Sequence, residues 1–165
     1  MKRMIFASLI IIASGILCAN FASAKELDDE GRNHISQNCA AAQSNLQRLG
    51  SSDTTTRINR GRDYDQALKL FFTMNTRVAS NNITEPKLAE ITKEFENELS
   101  FFRDNYNSYN EQLRNTIDFG CVSEPQEFYE LLEASRSRRT ILNANVTKLN
   151  KLIEDYQQAI KDLTV

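Results

Sequence analysis

Cys39 and Cys121 are the only cysteines after residue 24, and together they constrain the fold more tightly than any other feature of the chain. A bridge between them would force any helical arrangement to bring their Cα atoms within about 7 Å. Whether they are bridged depends on compartment. Lys2 and Arg3 open the chain, Ile5 to Leu17 is almost wholly apolar, and Ala22-Ser23-Ala24 precedes charged Lys25, the pattern of a signal peptide over residues 1–24 cleaved between Ala24 and Lys25. The stretch from Ile5 to Ala22 is 18 residues, near the lower length for a bilayer span, so a retained anchor is the alternative. Leu17 stands before Cys18 where lipid-attachment signals prefer a small residue, which argues against lipidation. In an exported chain two cysteines are expected to be bonded, because the compartment is oxidising.

Cleavage would leave 141 residues, enough for one domain with its own core. Residues 25–34 are read as an N-terminal segment and residues 35–163 as a single helical domain. Without Lys2 and Arg3 the chain carries 18 basic and 22 acidic side chains, a net charge near −4. That balance argues against nucleic acid and against an anionic membrane surface as partners. Contact with a membrane is expected only if the signal segment is retained.

The punctuation is that of a helical protein. Four glycines and two prolines follow Ala24, too few breakers for strands and turns. Thr84-Glu85-Pro86 and Ser123-Glu124-Pro125 each place a capping hydroxyl, an acid and a proline where a helix begins. Gln126, three residues after Ser123, predicts a capping box. From Pro86 onward Leu88, Ile91, Phe95, Leu99, Phe102, Tyr106, Tyr109, Leu113 and Ile117 recur about every 3.6 residues, predicting a long, straight helix. After Pro125 the series Phe128, Leu132, Ser135, Arg139, Leu142, Val146, Leu149, Ile153, Tyr156, Ile160, Leu163 alternates steps of four and three, the coiled-coil period. Ile35, Cys39, Ala42, Leu46 and Leu49 share that spacing before Gly50-Ser51-Ser52-Asp53 interrupts it. A second stretch, with Ile58, Tyr64, Leu68, Phe71 and Val78, follows from about Thr54.

The cysteines decide whether that interruption is a kink or a reversal. With turns near 83–84 and 122–123 and a rise of 1.5 Å per residue, Cys121 lies level with about position 46 if residues 35–82 run one way. Cys39 is then about seven residues away, roughly 10 Å, which a kink could absorb. A reversal at Gly50–Asp53 would instead leave the two cysteines about 28 Å apart. The expected fold is therefore all-α: an elongated antiparallel bundle of three long helices, coiled-coil-like, with the first helix interrupted near Gly50–Asp53. A four-helix up-and-down bundle is the alternative. The bridge itself reads as a structural staple, since no neighbouring thiol is present to resolve a mixed disulfide.

The same ruler aligns Gly61 with Tyr106 and Arg139. It gathers Arg57, Arg60 and Arg62 from the first helix and Arg136 and Arg138 from the third, with Asp63, Asp65, Asp104 and Glu111 near enough to pair. One reading is a polar layer in which Arg139, at a core-facing position, is neutralised by a carboxylate and sets register. The other is an anion site formed by Arg57, Arg60, Arg62, Tyr106, Arg136 and Arg139, several guanidiniums beside a glycine leaving room for bidentate binding.

No reactive grouping stands out. His34 is the only histidine and reads as a surface or capping residue, so neither a metal nor a cofactor is expected. Asn82-Ile83-Thr84 and Asn145-Val146-Thr147 match the glycosylation sequon, the second inside a helix. No acid, base or nucleophile can be nominated as catalytic. Residues 128–163 have the alternation of a parallel dimer, but Asn143, Asn145, Asn150 and Gln157 supply no complementary flanking charges, and Leu152 widens the apolar face. A monomer is the reading, a homodimer through 128–163 the alternative.

Arg57-Ile58-Asn59-Arg60-Gly61-Arg62-Asp63-Tyr64, Phe101-Phe102-Arg103-Asp104-Asn105-Tyr106 and Cys121-Val122-Ser123-Glu124-Pro125 with Phe128-Tyr129 resemble a family of uncharacterised secreted helical proteins from candidate-phylum bacteria with small genomes. The resemblance spans roughly residues 35–160 and implies export and a helical fold, without an activity. The expected function is an exported, non-enzymatic helical interaction or structural module, periplasmic, cell-surface or extracellular, whose partner is another envelope or extracellular protein. The alternative is a small-ligand or anion-binding protein that uses the arginine-rich layer.

Overall fold

A computed structural model describes residues 26–163, in three helices: α1 (Asp29–Ser80), α2 (Pro86–Asp118) and α3 (Pro125–Leu163). Each forms for a legible reason. At the start of α1 the Asp28 side chain accepts from the Gly31 amide at 2.8 Å, and Asp29 and Glu30 lie at the positive end of the helix dipole. Pro86 and Pro125 are the first residues of α2 and α3, where a missing N–H costs nothing. The bundle runs up, down and up, so α1 and α3 are parallel and α2 lies antiparallel to both. Signal-segment expectations, including Ala24 and Lys25, fall outside the described residues. None of the described helices is long and apolar enough to cross a membrane.

The two caps are built differently from the expectation. Glu85, not Thr84, caps α2 by accepting from the Lys87 amide at 3.3 Å. At α3 the capping box does not form: the Ser123 hydroxyl donates to the Gly120 carbonyl, while Gln126 accepts from the Leu27 amide at 2.8 Å and donates to Glu130. Gln126 thus ties the segment before α1 to α3, a tertiary contact that competes successfully with a local one.

The expected interruption at Gly50–Asp53 is absent, and α1 is one helix of 52 residues. Breaker propensity there amounts to about 1 kcal/mol for the glycine and less for each of its neighbours. Tertiary contacts outweigh it. Gly50 faces the Leu113 and Ile117 side chains, and Asp53 is held from two other helices. The Ser51, Thr54 and Thr55 hydroxyls donate to carbonyls four residues back, so they no longer compete with the helical amides. A kink is also not needed to join the cysteines. Residues 83–85 lie outside any helix and run back beside the last turn of α1, where the Ile83 amide donates to the Val78 carbonyl. Three residues at roughly 3.3 Å rather than 1.5 Å shift α2 by about one helical turn relative to α1. Extended Phe119 carries the chain further past the end of α2, and the Cα atoms of Cys39 and Cys121 come to 5.6 Å in the disulfide.

The core follows the sequence periodicity most closely on α2, where Leu88, Ile91, Phe95, Leu99, Phe102, Tyr106, Tyr109 and Leu113 are all buried. On α3 the buried set is Phe128, Ser135, Leu142, Leu149, Leu152, Tyr156 and Ala159, consumed by packing within the chain. Only Cys39, Tyr64 and Phe71 are buried on α1, so the longest helix is the least embedded. Phe71 stacks on Tyr156 with ring centroids 3.8 Å apart and meets Phe95 edge-on at 5.1 Å.

Polar ties between helices set the register. The Tyr156 hydroxyl donates to Asn75 at 2.7 Å, and the Asn75 amide donates to Thr92 at 2.9 Å, linking all three helices. Buried Thr116 and Ser135 join α2 to α3 at 2.9 Å. Glu98, 5% exposed, accepts from Asn145 and pairs with Lys148 at 3.2 Å, which also reaches Glu94. Hydrogen bonds to those two carboxylates hold the Lys148 ammonium above its usual range.

Gly61 has nothing within 4 Å of where a Cβ would stand, and it lies inside α1. Gly61→Ala should therefore stabilise the fold by about 0.5–1 kcal/mol through helix propensity alone. An increased urea midpoint with an unchanged slope is the expected readout, and a decreased one would show that the space beside Gly61 is needed.

Candidate functional site

The best-organised polar site is where Asp53 of α1 meets α2 and α3. The Tyr109 hydroxyl donates to one carboxylate oxygen at 2.6 Å, and an Arg139 Nη donates to the other at 3.1 Å. One turn further along α1, Arg57 lies with its guanidinium carbon 4.4 Å from the centre of the Tyr106 ring and donates to Asn107 at 3.2 Å. The Tyr106 hydroxyl donates to Thr54 at 3.3 Å. Asp53 is thus the point where one side chain ties three helices together.

Two grooves flank this region. Between α1 and α3 a groove of about 320 Å³ has Arg57, Arg60, Arg139 and Asp53 on its walls and Phe102, Tyr106, Leu142 and Val146 among its apolar lining. Towards α2, a groove of about 690 Å³ is lined by Ile58 and Gly61 amid Arg57, Arg62, Lys69, Arg103, Asp65 and Asp104, and it shares Arg57 and Phe102 with the first.

Of the six residues expected to share an anion site or polar layer, the structure brings four together: Arg57, Arg60, Tyr106 and Arg139 line the α1–α3 groove. Arg62 belongs to the α1–α2 groove, where it is ion-paired with Asp63. Arg136 pairs with Glu133 on its own helix and borders neither groove, while Arg138 donates to Ser108. The expected layer of Gly61, Tyr106 and Arg139 is displaced, because the one-turn shift of α2 sets Tyr106 against Thr54 and Arg57 instead. Arg139 does not face the core: its side chain is 45% exposed and reaches sideways to Asp53. Asp53, read as part of an interruption, is the residue the sequence reasoning missed. A signal was present, since Cys39, Leu46 and Asp53 repeat every seven residues along the buried stripe.

Tyr64, Tyr109 and Tyr156 are held protonated. Burial, then the hydrogen bond to Asp53 and repulsion from its charge, pushes the Tyr109 hydroxyl far above its usual value, with Arg139 opposing. Burial likewise raises Tyr64 and Tyr156. Native pKa values above the unfolded value mean that the stabilisation is complete below about pH 10 and is lost as pH rises beyond it. Stability measured by urea midpoint should thus be flat between pH 7 and 9 and fall steadily from about pH 10, and Tyr109→Phe should make that fall shallower. A decline of equal steepness in wild type and variant would count against this assignment.

His34 lies exposed on α1. Asn145 of the second sequon is engaged at both ends of its amide, donating to Glu98 and accepting from Asn105. Asn82 of the first lies exposed in the α1–α2 turn with φ 59°. Among the described residues, no cluster of three or more His, Cys, Asp or Glu side chains is placed to hold a metal ion. What the site offers chemically is guanidinium donors over an aromatic and aliphatic floor, a binding arrangement. Compared with family models, curated proteins and solved structures, the chain matches none.

Proposed function

We propose that this chain is an exported, non-enzymatic interaction module of the cell envelope that holds a protein partner along the α1–α2 groove. The observation that carries this is Ile58, 62% exposed and lining a groove of about 690 Å³ together with charges of both signs. Exposed apolar surface among polar groups and mixed charges is the composition of a protein contact surface, and charges of both signs select a partner of complementary pattern. Helix α1 suits the role. Its 52 residues extend about 78 Å, a long rigid edge whose inner stripe already anchors it to the bundle. The disulfide supports export, because such a bridge persists in oxidising compartments.

The test is a photo-crosslinking residue at position 58 of the exported chain in its own cell, with the same residue in place of Ala144, exposed on α3, as control. A single protein adduct formed from position 58 and absent from position 144 is the expected result. No adduct at 58, or the same adducts from both positions, would overturn the reading.

A further inference from the structure

The α1–α3 groove adjoins the one just assigned to a partner and shares Arg57 and Phe102 with it, but it holds a single carboxylate and more aromatic and aliphatic residues in its lining. In a chain of net charge −2, this one groove gathers Arg57, Arg60 and Arg139 against a single carboxylate, Asp53. That carboxylate is already neutralised by Arg139 and saturated by the Tyr109 hydroxyl. Two guanidinium charges are left uncompensated. Arg57 uses one Nη on Asn107 and is held over the Tyr106 ring, which limits the directions its remaining N–H groups can take. Among the described residues Arg60, which lines the groove, makes no ion pair or hydrogen bond. The floor between them is apolar and aromatic, with Phe102 and Tyr106 buried and Leu142 and Val146 beside them.

We infer that this groove binds a small ligand that joins a phosphate or carboxylate group to a planar apolar body. The acidic group would take the free donors of Arg57 and Arg60, which suit planar, bidentate recognition of such oxyanions. The body would lie against Val146 and the edges of Phe102, Tyr106 and Leu142 that border the groove. A volume of about 320 Å³ is at the small end of ligand sites, which fits a single ring rather than a nucleotide or polymer. Asp53 enters as a positioning residue: it holds Arg139 aside, so the third guanidinium closes the groove without occupying it.

Phenyl phosphate is the probe, titrated calorimetrically into the disulfide-bonded protein at low ionic strength. Arg60→Gln is the informative variant, because among the described residues Arg60 makes no hydrogen bond or ion pair, and its one charge interaction, with Tyr64, is opposed by burial of that ring. Arg136→Gln, which removes one charge outside the groove, is the control. Saturable one-to-one binding is expected, weakened about tenfold or more by Arg60→Gln and by less than twofold by Arg136→Gln. Inorganic phosphate should bind several-fold more weakly than phenyl phosphate, because it leaves the floor uncovered. Absence of saturable binding, or equal weakening by the two variants, would overturn the site. Equal affinity for the two probes would overturn the role of the floor.

Discussion

Replacing both bridged cysteines, as Cys39→Ala with Cys121→Ala, is expected to destabilise the bundle by about 4.5 kcal/mol, the loop-entropy value for a closure of this length. The bridge spans 82 positions of sequence, so it removes much of the freedom of the unfolded chain. It also holds the end of the bundle where α1 buries least, beside hydrogen bonds from Gln43 to the Ile117 and Phe119 carbonyls and from Ser36 to the Val122 carbonyl. Of residues 29–49 only Cys39 is buried, packed with Cys121 and Phe128, while Ile35, Ala42 and Leu46 are half-buried around them. The melting temperature should fall by roughly 10–20 °C, and limited proteolysis should cut first within residues 29–49. A fall of less than about 3 °C would mean that packing around Phe128 holds this end without the bond.

The second large effect is expected from Phe95→Ala, at about 3–5 kcal/mol. Phe95 has no exposed surface, and it is the ring against which two of the three buried residues of α1 rest: Phe71 at 5.1 Å and Tyr64 at 6.2 Å, both edge-on. Its removal leaves a cavity between α1 and α2 rather than inside the α2–α3 pair, so the damage should be uneven. Amide exchange should accelerate most in α1 between residues 57 and 78, with the central turns of α2 and α3 protected for longer. Uniform acceleration across the three helices would show that α1 does not open separately.

Much of this was legible in the sequence. The α2 stripe from Leu88 to Leu113 is buried residue for residue as its period of about 3.6 requires, because a helix packed along its length exposes one face only. Pro86 and Pro125 mark helix starts because nothing else in helical geometry tolerates a missing amide so cheaply. The cysteine pair separated three helices from four, since a reversal at Gly50–Asp53 would have placed the sulfurs far out of reach.

The failures share one cause. Gly50–Asp53 has the local composition of a break, yet it faces Leu113, Tyr109 and Arg139 across the bundle, and contacts from outside the segment decided its conformation. Ser123 and Gln126 have the spacing of a capping box, and Gln126 is drawn instead to Leu27, 99 positions away. Of the six residues expected together, Arg57, Arg60, Tyr106 and Arg139 border one groove, and Arg62 and Arg136 lie elsewhere. A shift of about one turn moved Tyr106 from Gly61 to Arg57, while Arg60 and Arg62, two positions apart on α1, point to different faces of that helix and so border different grooves.

Periodicity, breaker placement and one pair of cysteines were sufficient for helix number, helix direction and the bridge, because each depends on spacing within the chain or on a covalent limit of a few ångströms. Which residues meet across the bundle, and whether Asp53 breaks a helix or joins three of them, depends on axial register. Register is set by linker geometry and by ties such as Asp53–Tyr109 and Asn75–Tyr156 between residues 56 and 81 positions apart. Interactions at that range have no period in the sequence, so only the packed structure places them.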